Sequence, residues 1–143
     1  MRAVSGATVS LEGVWRSGCV SPTPVVAGGA IRESFTVSGT AITVNVQKYG
    51  NPTCVGAVAE IERIDLDARL GAESTASLAG EAVAVTRVDG TNLTAGEPFK
   101  QVFHVDDTRG ADRLFHGVFP DDGGMVDPDG YPTVLFEDFL ERQ

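Results

Sequence analysis

The side chains that could do proton chemistry are few. The chain has only two histidines, His104 and His116, in neighbouring β-rich stretches. A turn centred near 108–109 would set His104 against Leu114 and His116 near Val102, with both imidazoles on one face. Glu33 joins them as a candidate. By period-two alternation it shares a face with Ile31, Phe35 and Val37, and burial on that face would raise its pKa toward a general-acid or general-base role. The plainer alternative places Glu33 at a rim or beside a basic neighbour such as Arg87. Two histidines with Glu33 could in principle bind a metal, but a metal site needs its third ligand at fixed geometry and no HxH or HxxxH spacing occurs, so neither a metal nor any other cofactor is expected. An acid–base or hydrogen-bonding role for one histidine fits better.

Residues able to hold a small molecule are more numerous. Trp15 is the only tryptophan, and Phe35, Tyr49, Phe103 and Phe115 are candidate pocket walls, with Gln101 as a polar orienting group. The competing reading is ordinary core packing. Asp121, Asp122, Asp127 and Asp129 do not follow the D-x-D-x-D-G calcium spacing and read as turn residues beside Gly and Pro, in a loop able to act as a lid. No G-x-S-x-G, P-loop or Rossmann glycine pattern occurs, which removes most of the case for nucleophilic, phosphoryl-transfer and nucleotide chemistry.

The elements that would position these residues are β-strands. Strand character recurs at 11–20, 30–37, 41–47, 54–66, 82–88, 99–105, 113–119 and 133–142, with a hairpin signal at Ser38-Gly39. Residues 1–10 read as a weakly ordered lead-in, and the breaker-rich 21–29 as a connection. Within 54–66 the apolar parity changes between Ile61 and Ile64, which predicts a β-bulge there. Residues 67–80 stay open between loop, strand and helix, and 120–132 is too rich in Gly, Pro and Asp for regular structure. About eight strands without an amphipathic helix predict an all-β fold over 1–143. A single antiparallel eight-stranded barrel removes exposed edges and leaves room for one ligand or a packed interior; a β-sandwich is the alternative.

The totals set limits. A net charge of −9 and a pI near 4.5 argue against a nucleic-acid partner and an anionic membrane surface. No run reaches the ~20 apolar residues of a membrane span. Localisation is expected to be cytoplasmic if Met1 is native and periplasmic or secreted if a leader was removed. Cys19 and Cys54 would pair in an oxidising compartment and stay buried thiols in a reducing one. A monomer or a homodimer is expected.

Gly13-Val14-Trp15 on the first strand and Arg142 at the end of the last resemble the calycin group, especially lipocalins. The wider layout is similar to bacterial lipocalin-like lipoproteins: Trp15 four residues before Cys19, Tyr49 shortly before Cys54, and Gly130-Tyr131-Pro132-Thr133 ahead of the last strand. The resemblance implies that Trp15 plugs one end of the barrel, that Arg142 stacks on it, and that the interior carries an apolar ligand. The chain departs from the family in having no room for a C-terminal helix and no lipid-attachment cysteine near its start.

The leading expectation is therefore binding of a small, largely apolar molecule inside a lipocalin-like barrel. The alternative is a cofactor-independent cyclase acting on a polyketide-like intermediate, in which a dry barrel folds a flexible substrate into a reactive shape.

Overall fold

A computed structural model describes residues 2–5, 7–20 and 29–143; all but the last residue of the 21–29 connection lies outside them. Ten strands run in the order β1 (Arg2–Ser5), β2 (Ala7–Ser10), β3 (Gly13–Ser17), β4 (Ala30–Ser38), β5 (Ala41–Tyr49), β6 (Glu60–Leu78), β7 (Glu81–Asn92), β8 (Glu97–Asp106), β9 (Arg113–His116) and β10 (Leu140–Arg142). The last eight close into an antiparallel barrel in which β10 pairs with both β9 and β3. Closure excludes the sandwich. Within the stretch read as a lead-in, β1 and β2 pair as a separate two-stranded hairpin, and β1 lies against β7 and β8.

Alternation decides which face each strand turns inward. In β4 and β5 the pairs Phe35↔Val44 and Val37↔Ile42 bring apolar side chains together. Intervening residues such as Thr36 and Thr43, which also pair, point outward. The register carries on into β6, with Val44↔Ile64 and Ile42↔Leu66. Pairing of β5 with β6 is uninterrupted over this stretch, so the bulge expected between Ile61 and Ile64 is not there. The strand starts at Glu60 rather than at residue 54, so Val55, Ala57 and Ala59 precede it, and Ile61 faces outward, 62% exposed; the slip in parity comes from residues off the inner face rather than from a bent backbone. The bulge lies further on, between Leu70 and Glu73, where β6 shifts its register on β7. Residues 67–80, left open from the sequence, are the second half of this long strand and its turn.

Two apolar cores result. The first fills one end of the barrel with Leu11, Trp15, Val37, Ile42, Val88, Val105, Leu114 and Leu140 among others. The second lies outside it. Ala76, Val85, Val102 and Phe115 on the outer faces of β6 to β9 are covered by Tyr131, Leu135 and Phe139 from the segment between β9 and β10. That segment forms one 3-10 turn at Pro120–Asp122, and its remainder joins the sheet through isolated bridges, Ser77↔Val134 and Gly117↔Leu135, rather than as a continuous strand. The continuous strand expected over 133–142 is thus reduced to Leu140–Arg142.

Cys19 and Cys54 are joined in a disulfide with a Cα separation of 5.8 Å. It ties the stretch after β3 to the β5–β6 connection, and closing a loop of this length contributes about 3–4 kcal/mol in the chain-entropy account. Cys54 packs with Ala30, Tyr49 and Val58.

Candidate functional site

The barrel is plugged at one end. Trp15 is fully buried and its Nε1–H donates to the Leu11 carbonyl at 2.9 Å. The Arg142 guanidinium lies 4.2 Å from the indole centroid, a cation–π contact of about 0.5–2 kcal/mol. Arg142 also donates to Asp112 Oδ2 at 2.9 Å and to the carbonyls of Glu12, at 2.8 Å, and Ser10. Gly13, at φ +116°, leaves a side-chain position that Arg142 approaches to 3.8 Å. The G-x-W pattern and the final-strand arginine therefore meet as the resemblance implied, with the indole as a floor.

Burial is looser toward the other end of the interior. Ile31, Val46, Ile64 and Leu70 sit at inward positions by register and are half-buried, whereas Trp15, Val37, Ile42, Val88, Val105 and Leu114 are almost wholly buried. Val46, Ile64 and Leu70 pack against the Trp15 core, as do the half-buried Leu66 and Phe99.

Glu33 and His116 meet at this end, with 3.2 Å between Glu33 Oε1 and His116 Nε2 and each side chain about one-fifth exposed (20% and 19%). Both lie one inward position beyond the pairs Trp15↔Phe35 and Leu140↔Leu114, where β10 begins, and their side chains meet across β3 and β10. The Glu33 N–H donates to Ser17 Oγ at 2.8 Å, fixing the backbone under the carboxylate. The imidazole stacks on Phe35, with centroids 5.8 Å apart, and meets Phe136 edge-on at 5.3 Å. Phe103 closes the wall behind Phe35 at 6.3 Å.

Burial works against a charged His116. The hydrogen bond and negative charge of Glu33 oppose that effect, helped by the Gly117 backbone and Asp138, and the net result is a His116 pKa raised above its ordinary value. The arrangement is a carboxylate–imidazole pair, reachable from solvent and walled by aromatic rings, able to exchange a proton with a bound molecule or to anchor its polar end.

Several expected site residues are elsewhere. The β8–β9 register sets His104 against Phe115 and His116 against Phe103, one residue away from the expected pairing, so the two imidazoles point to opposite faces. His104 faces outward and donates from Nδ1 to the Ala84 carbonyl at 2.8 Å. Phe115 is likewise outward, in the second core. Tyr49 pairs with Ala30 on the outer face of the barrel and packs on Cys54, not in the lumen. Gln101 turns inward, but its amide is taken up by backbone: Oε1 accepts from Val102 N–H (2.9 Å) and Gly117 N–H (2.8 Å), and Nε2 donates to the Gly117 carbonyl (3.2 Å). It fastens the end of β9. Arg87 is not the partner of Glu33; it binds Asp127 at 3.0 Å and Asp129 at 3.2 Å. Asp127 also caps its own turn by accepting from the Asp129 and Tyr131 N–H groups, which holds its carboxyl below the usual range. Among the described residues no group of three or more His, Cys, Asp or Glu is placed to hold a metal ion.

Phe136 was missed by sequence reasoning as a specific neighbour of His116. Its only signal was membership of an aromatic-rich last third, since it lies on no strand that alternation could orient. No protein-family profile, curated protein or solved structure matches this chain.

Proposed function

We propose that the looser end of the barrel binds a small, largely apolar molecule, with Glu33 and His116 gripping its polar end. The observation that carries this reading is the gradient of burial along the barrel interior: inward side chains are almost wholly buried around Trp15 and half-buried at Ile31, Val46, Ile64 and Leu70. A barrel that needed only a core would fill both halves. Kinship with the calycins is part of the proposal, supported by Gly13, Trp15 and the Arg142 stack.

A second reading is a cofactor-free cyclase or isomerase. What favours it is the 3.2 Å Glu33–His116 pair, a proton donor and acceptor facing an apolar cavity. In this reading Phe35, Phe103 and Phe136 hold the substrate in a reactive shape while the pair moves a proton.

Native mass spectrometry of freshly purified protein, followed by titration with an apolar fluorescent probe, tests the proposal. One retained or titrated molecule per chain is expected, with affinity reduced about tenfold in Ile64→Trp, which fills the looser end. Stoichiometric binding that Ile64→Trp leaves untouched would place the ligand elsewhere.

A further inference from the structure

The lumen mouth has an uneven charge, and this bears on the ligand's polar end. Four carboxylates stand at inward or rim positions: Glu33, Glu60, Glu62 and Glu73. The registers Glu33↔Val46↔Glu62 and Lys48↔Glu60 place three of them. Glu73 pairs with Thr86, which pairs with the lumen residue Phe103. Asp138 adds negative charge beside His116. Among the described residues two cations stand against these at inward positions, and both are engaged. Lys48 serves Glu62 at 3.3 Å and Glu60 at 3.8 Å, and His116 serves Glu33. Among the described residues Glu33 is bonded through Oε1, which leaves its second oxygen to accept, and Glu73 makes no ion pair.

Resting on the ligand-binding reading above, we propose that the molecule the barrel takes is a cationic amphiphile: an apolar body ending in a protonated amine. An ammonium at the mouth would donate to the free oxygen of Glu33 beside the faces of Phe35 and Phe136, where a ring quadrupole adds attraction for a cation. The low-dielectric wall focuses the field of the surplus carboxylates on that point. A fatty-acid carboxylate would meet the same surplus as repulsion, with no unengaged cation to receive it. An alcohol could donate to Glu33 but would gain nothing from the field.

Three probes with one tail separate these cases: dodecylamine, dodecanol and dodecanoate, titrated below their aggregation limits by calorimetry at neutral pH and low salt. Dodecylamine is expected to bind once per chain, about tenfold more tightly than dodecanol, and dodecanoate more weakly than either. Glu33→Gln should erase most of the amine's advantage. Glu73→Gln, which leaves the His116 pair intact, should reduce it severalfold. Glu97→Gln, on the far β7–β8 turn, should not change it. Dodecanol or dodecanoate binding as tightly as the amine would overturn the inference while leaving a binding lumen in place. An equal loss in Glu97→Gln would reduce the preference to the overall negative charge and also overturn it. No binding by any of the three would overturn both readings.

Discussion

His116 is an imidazole held among rings and carboxylates, and its raised pKa has a consequence for stability. The folded state binds its proton more tightly than the unfolded chain, so this contribution is complete below the ordinary pKa of 6.5 and is lost as pH rises through the folded-state value. The melting temperature of His116→Gln should therefore lie furthest below wild type near about pH 6 and approach it toward about pH 9, since hydrogen bonds to charged groups contribute roughly 1.5–3 kcal/mol. Thermal scans across that range check it; a gap that widens with pH would mean that the imidazole is neutral when folded. At this scale the sequence was partly legible. Glu33, Phe35 and Val37 do share the inner face, because β4 alternates cleanly over nine residues. His104 and Phe115 could not be oriented, because one residue of register in the β8–β9 turn exchanges inside for outside. Tyr49 is of opposite parity to Val46 within β5 and so lies on the opposite face from the Glu33↔Val46 pair.

Among the elements, β6 is the most informative. Its second half could not be read because the register shift between Leu70 and Glu73 reverses which parity faces inward: Ala68 is buried in the barrel interior while Ala76, of the same parity, belongs to the outer core. No single polar–apolar alternation therefore runs through it. The bend of β7 at Gly90 depends on close contact with β6. A side chain there would place its Cβ 2.0 Å from the Asp67 carbonyl oxygen and 2.8 Å from the Phe99 ring. Gly90→Ala should destabilise the protein by about 2–3 kcal/mol or more, read from denaturant midpoints. Gly71→Ala, in the bulge of β6, is the matched control. The nearest atom to its Cβ would be 3.6 Å away, so little change is expected. Equal stabilities for the two variants would show that β6 and β7 do not approach so closely. The final segment differs from a full strand for its own reason: Thr133 and Leu135 make backbone bonds to Ser77 and Val134 accepts one from Val118, from outside the barrel.

For the whole molecule, spacing of β-rich stretches and turn residues was enough to expect eight staves and their closure, and the observed barrel has both. The pairing of Trp15 with Arg142 was legible only through the resemblance, because 126 residues of intervening sequence carry no local sign of that contact. The looser burial at Ile31, Val46, Ile64 and Leu70 was not legible at all, since alternation marks inward residues without saying how closely they pack across the barrel. Room for a guest at that end is what the proposed function depends on. Methyl-resolved NMR during titration with a bound apolar probe addresses it most directly. Shifts are expected at Ile31, Val46, Ile64 and Leu70, with Val37, Ile42 and Leu140 in the plugged half and Val83 and Leu135 in the outer core nearly still. Shifts confined to the outer core, or spread evenly over both halves of the barrel, would contradict a guest seated above the Trp15 floor.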